Sequence, residues 1–185
     1  MDKPAKHAQM PIGTRTVKTA FAAMLCLLLY LPFGRNPTFA CIGAIFGTGN
    51  TLETSWIYGG NRLIGTIIGG FIGMGMLRIH LHFYPNGGIT ALMLPMVFVG
   101  VMLMILISNL FRWPGAIQPG GVMLCIVLFN HTAQSYISYS LDRMIDTAFG
   151  VLVAVVLNML IPKELIMRCA YKIGEKLHIA ESKNK

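Results

Sequence analysis

Apolar residues along this chain fall into six stretches divided by short polar or proline- and glycine-bearing breaks. The first runs from Thr14 to about Leu31, opened by Thr14 or Thr16 as a cap and ended by Pro32 and Gly34. The second begins near Thr38 and turns polar after Gly47, reading GTGNTLETS. Ten apolar residues rise only ~15 Å, half of a ~30 Å hydrocarbon core. The polar part must therefore complete a crossing while facing protein or water, as in an interrupted helix. The third stretch covers Arg62 to Ile79, followed by HLHFYPNGG, and the fourth covers Ile89 to Phe111, closed by RWPG with Trp113 as an interfacial anchor. A fifth, Ala116 to Phe129, is short again and ends polar in NHTAQS, and the sixth, Arg143 to Ile161, stops at Pro162. The pattern predicts an all-α polytopic membrane protein with six transmembrane helices.

The polar breaks repeat. Arg62, Thr66 and Gly69 each recur 81 residues later as Arg143, Thr147 and Gly150, and upstream Thr51 and Tyr58 recur as Thr132 and Tyr139, with Thr54 matched by the similar Ser135. Two copies are expected, at about 14–86 and 89–161, joined near Gly87 and Gly88. A unit of three spans reverses direction at each repetition, so the copies are predicted to be inverted repeats, meeting at a mid-membrane site built from the second and fifth spans. Gly65, Gly69 and Gly73 form overlapping GxxxG units, a strip that lets a neighbouring backbone approach and makes the third span central, with Gly150 the counterpart of Gly69.

Composition agrees with a bilayer: 55% of the 185 residues are hydrophobic, 12% are charged and the mean hydropathy is +0.63. The net charge of +8 does not describe a nucleic-acid surface, because the basic residues gather at the chain ends rather than in an aromatic-laced stripe. Every lysine lies within residues 1–18 or 163–185. On the six-span topology twelve Lys and Arg fall on one side against Arg35, Arg78 and Arg143 on the other, so both termini are expected in the cytoplasm. Residues 1–13 read as a polar cytoplasmic tail. Residues 162–185 read as a cytoplasmic amphipathic helix lying on the inner membrane surface, with Leu165, Ile166, Cys169, Ile173 and Leu177 on one face. A signal peptide ending near TFAC at Thr38 to Cys41 is the weaker alternative, since further spans follow. Cys26, Cys41, Cys125 and Cys169 are isolated and read as small apolar residues.

Ionisable and amide groups at membrane depth are costly and mark candidate sites. The candidates for substrate binding or translocation are Asn50, Thr51, Glu53, Arg62, Thr66, Thr132, Arg143, Asp146 and Asn158, with Arg15 and Lys18 as an anion-attracting pair at the inner mouth. Arg62 and Arg143 fit an interfacial anchor paired with an acid as well as a ligand role; Asp146 fits proton coupling as well as neutralisation of an arginine. Asn158 fits a helix-to-helix hydrogen bond as well as a substrate contact. His80 and His82 would share one side of an extended segment, yet HxH alone lacks the further ligands zinc needs, so no metal or cofactor is expected. The methionines and aromatics read as lipid-facing or packing residues. Neither GxxxxGK[ST], GxSxG nor HExxH occurs, which leaves gradient-driven transport rather than an enzyme.

IGTRTVKTAFA at Ile12 to Ala22, TGNTLETS, GGNRLIGTIIGG at Gly59 to Gly70 and DRMIDTAFGVLVAVVLN at Asp142 to Asn158 resemble the transmembrane module of the aromatic acid exporter family. That family belongs to the wider fusaric-acid-resistance (FUSC)-like group, which includes plant malate channels. The resemblance covers about residues 12–161. It implies a protein of the bacterial cytoplasmic membrane that exports small organic, including aromatic, carboxylate anions, as a homo-oligomer. Carried over by motif, Arg15, Lys18, Thr51, Arg62, Thr66, Arg143 and Asp146 are the positions it points to. Many members add a cytoplasmic helical domain where this chain has a short tail. The expected function is thus an exporter or channel for organic carboxylates; the alternative is a non-transporting scaffold of a cell-envelope assembly.

Overall fold

The computed structural model describes residues 14–130 and 135–161, which form helices and contain no strand. Thr132, the tail 1–13 and the segment 162–185, expected to be an amphipathic helix, lie outside the described residues. Among the described residues six α-helices follow one another: α1 (Thr14–Tyr30), α2 (Thr38–Gly47), α3 (Leu52–Phe83), α4 (Met93–Leu110), α5 (Ile117–Phe129) and α6 (Tyr136–Leu160). Four apolar stretches, Arg15–Phe33, Leu52–Phe83, Met93–Leu110 and Tyr136–Leu160, are long enough to cross a membrane, while α2 and α5 are shorter.

Two helix starts differ from expectation by seven residues or more. Helix α3 starts at Leu52, not Arg62, because Thr51 and Thr54 form a reciprocal capping box: each side chain takes the other's backbone N–H. Helix α6 starts at Tyr136, seven residues before Arg143. Both arginines therefore sit inside helices rather than opening them. His80 and His82 also fall within α3, where residues two apart diverge by about 200°; His80 is buried and bonded to Thr90 Oγ1 at 2.9 Å, and His82 is exposed.

Close glycine contacts set the helix directions. Helix α2 runs alongside α6 in the same sense, since Gly43 abuts Thr147 and Gly47 abuts Val151 and Ala154. Helix α3 runs alongside α5 in the same sense, with Gly65 against Ala116 and Pro119, and Gly73 against Leu124 and Val127. Helices α3 and α6 are antiparallel, as Gly59 meets Val151 and Gly70 meets Met144. A Cβ at Gly69 would collide with the Gly120 backbone, and one at Gly150 with the Ala40 backbone. These are corresponding contacts: Gly69 and Gly150 are 81 apart, Ala40 and Gly120 are 80 apart.

Helix α3 is central, packing on α2, α4, α5 and α6. One apolar core joins Ala22, Cys26, Ala40, Ala44, Ala154 and Leu157 of α1, α2 and α6; the other joins Leu77, Met123, Leu124, Val127 and Met144 of α3, α5 and α6. Large apolar side chains such as Leu28, Phe71, Leu94, Phe98 and Leu152 point outward, a surface suited to lipid.

Candidate functional site: an aromatic cleft around an arginine

A cleft of about 480 Å³ opens where the first residues of α1, the end of α2, the early turns of α3 and the start of α5 converge. Arg62 projects from α3 one turn after Tyr58, both on the face toward this opening. Its guanidinium lies over the Phe46 ring at 5.3 Å from the centroid, and the Arg15 guanidinium lies over the Tyr58 ring at 5.6 Å. Asn61 and Gln118 supply neutral polar groups, and Pro119 and Val122 an apolar wall. The Asn61 carbonyl accepts a 2.6 Å bond from Trp113 Nε1, and its amide is packed against Gly115. Arg15 is steadied by a 3.2 Å bond from Nε to the Thr48 carbonyl at the end of α2.

Arg62 is only 8% exposed, its Nε is buried without a hydrogen-bond partner, and among the described residues its guanidinium meets no carboxylate. An arginine stays charged, and a desolvated charge lacking a counter-ion is costly. Stacking on Phe46 offsets only part of this, about 1–2 kcal/mol. The cleft is thus cationic and aromatic, and among the described residues no acid lines it. A planar carboxylate on an aromatic body complements each of these features.

Arg143, the counterpart of Arg62, has different surroundings. It lies over Phe39 at 4.6 Å and Tyr139 at 5.1 Å, at the opposite end of α2 from Phe46. Asp146 pairs with it at 3.3 Å, is 1% exposed, and also accepts bonds from Tyr30 Oη at 2.8 Å and Arg35 at 3.1 Å. Arg35 reaches Asp142 as well, at 3.0 Å, tying the turn after α1 to α6. The residues 81 before Asp142 and Asp146 are Asn61 and Gly65, so the acids that neutralise the second arginine have no equivalent beside the first.

Asn158 occupies a third polar cluster. Its Oδ1 accepts from Lys18 Nζ at 2.5 Å, and its Nδ2 faces the Gly49 and Thr51 carbonyls and Ser55 Oγ at 2.7–3.1 Å. It thereby satisfies backbone groups freed where α2 breaks from α3. Of the residues singled out in the sequence, the cleft brings together Arg15 and Arg62. Lys18 and Asn158 stand behind it at the break, Thr66 bonds the Arg62 carbonyl on the buried side, and Asn50, Thr51 and Glu53 are exposed at the start of α3. Phe46, Tyr58, Asn61 and Gln118 line the cleft without having been singled out. For Tyr58 a signal existed, since it recurs as Tyr139. Among the described residues no cluster of three His, Cys, Asp or Glu could hold a metal.

A family model described as aromatic acid exporter family member 1 matches residues 10–161. No curated protein and no solved structure matches the chain.

Proposed function

The chain belongs to the aromatic acid exporter family, and from that premise we propose that it moves small aromatic carboxylates outward across the bacterial cytoplasmic membrane through the Arg62 cleft. The observation that carries this reading is the buried guanidinium of Arg62, stacked on Phe46 and facing a cleft of about 480 Å³ that no acid lines among the described residues. That volume lies within the range of small-molecule sites. The substrate carboxylate pairs with Arg62, its ring lies among Phe46, Tyr58 and Val122, and Arg15 at the mouth attracts it.

In this reading all six helices cross or line the membrane as two inverted three-helix halves, with the short α2 and α5 at the seam and both termini in the cytoplasm. Three features support it: the antiparallel run of α3 and α6, the corresponding contacts of Gly69 and Gly150, and the placing of Arg62 and Arg143 at opposite ends of α2. The test is efflux from cells preloaded with benzoate or 4-hydroxybenzoate. Cells producing the wild type are expected to lose both faster than cells producing Arg62→Gln at equal membrane level. Equal rates would remove the cleft from the mechanism.

A further inference from the structure

We propose that Arg143 is the centre of a second carboxylate site, which in this conformation is occupied by the protein's own Asp146. The inference rests on reading Arg62 as the ligand of the substrate carboxylate. Arg62 and Arg143 are the same position of the repeat, each with a tyrosine one turn earlier and each stacked on a phenylalanine of α2. In the first half the residue three after the arginine is Gly65, pressed against the Ala116 carbonyl and Pro119 so that no side chain fits there. Among the described residues no carboxylate reaches Arg62, which leaves its guanidinium open to one supplied by a ligand. In the second half that residue is Asp146, whose carboxylate lies 3.3 Å from Arg143.

Asp146 therefore shows what the surroundings of Arg143 hold: one carboxylate, contacted by two guanidinium groups and the Tyr30 hydroxyl beside aromatic rings. The contact with Arg143 is an ion pair and no more, because neither Arg143 Nε nor Asp146 Oδ2 makes a hydrogen bond. An arginine edge that could accept a bidentate carboxylate is only half used. A tethered competitor acts at an effective concentration of millimolar order or more, so a substrate carboxylate reaching Arg143 is readily displaced by Asp146. The two half-sites thus differ in affinity by design: Arg62 captures and Arg143 releases.

The test is equilibrium binding of benzoate to the purified full-length protein. Wild type is expected to bind one benzoate per chain and Arg62→Gln none. Adding Asp146→Asn to Arg62→Gln frees Arg143 and is expected to restore one site, which Arg143→Gln then removes. A folded Arg62→Gln/Asp146→Asn protein that binds no benzoate overturns the second site while leaving the first intact. Wild type failing to bind, or binding unchanged by Arg62→Gln, instead overturns the reading of Arg62. Should Asp146→Asn weaken the fold, melting supplies the readout: benzoate is expected to raise the melting temperature of Asp146→Asn more than that of Asp146→Asn/Arg143→Gln. Equal increments overturn the proposal.

Discussion

Replacing arginine by glutamine at the two equivalent positions is expected to shift stability in opposite directions. Arg62 is 8% exposed with no counter-ion among the described residues, so Arg62→Gln removes a desolvated charge. Desolvating an ion costs several kcal/mol even after relaxation, so removing one that lacks a counter-ion is stabilising by about 2–3 kcal/mol, and losing the Phe46 contact takes back about 1 kcal/mol. The net expectation is a gain of about 1–2 kcal/mol. Arg143→Gln instead breaks a pair with an acid that is 1% exposed. Breaking a buried pair costs about 3–5 kcal/mol. Arg35 and Tyr30 still hold Asp146, which trims this to about 2–3 kcal/mol, while two ring contacts are lost as well. At about 2–4 °C per kcal/mol for a chain of this length, melting in detergent should separate the two variants by roughly 6–20 °C, with wild type between them. If Arg62→Gln melts as far below wild type as Arg143→Gln, Arg62 is a paired structural arginine and does not await a substrate carboxylate.

Asn61→Asp keeps the oxygen that accepts from Trp113 and adds negative charge to the cleft; benzoate affinity should fall roughly 30- to 160-fold, matching ~2–3 kcal/mol between charges several ångströms apart, with melting unchanged or raised. Asn158→Leu strips the break between α2 and α3 of its hydrogen-bond partner and leaves Lys18 Nζ without the Asn158 oxygen. Unfolding titrations should show a loss of about 2–4 kcal/mol, and a loss under 1 kcal/mol would count against the clamp. Gly69→Leu drives a side chain into the Gly120 backbone; the yield of folded protein should collapse, whereas Gly75→Leu, at a position with open space around it, should express normally.

Hydropathy made the helices legible, and the 81-residue offset identified the corresponding arginines and glycines. What hydropathy misplaced were the starts of α3 and α6, for one physical reason. Arg62 and Arg143 look like span ends because charge avoids lipid, but Phe46, Phe39 and Asp146 shelter them within the protein. The Thr51–Thr54 cap is the local signal that would have moved the first boundary. The partner of the glycine strip was illegible, since a small-residue face does not state which helix will fill it. Phe46 and Tyr58 read as lipid-facing aromatics because nothing in one sequence distinguishes a ring toward lipid from a ring toward a cleft. Arg35 sits in a turn and acts on residues more than a hundred positions away. Its role emerges only once α6 is folded beside it.

Whether the Arg62 cleft selects an aromatic body bearing a carboxylate, as proposed, can be read from uptake of labelled benzoate into proteoliposomes. Wild type is expected to take up benzoate saturably, with 4-hydroxybenzoate competing and the neutral benzamide and the cationic benzylamine failing to compete, and Arg62→Gln is expected to lose this uptake. Benzamide competing as well as 4-hydroxybenzoate, or Arg62→Gln transporting at the wild-type rate, would contradict the account.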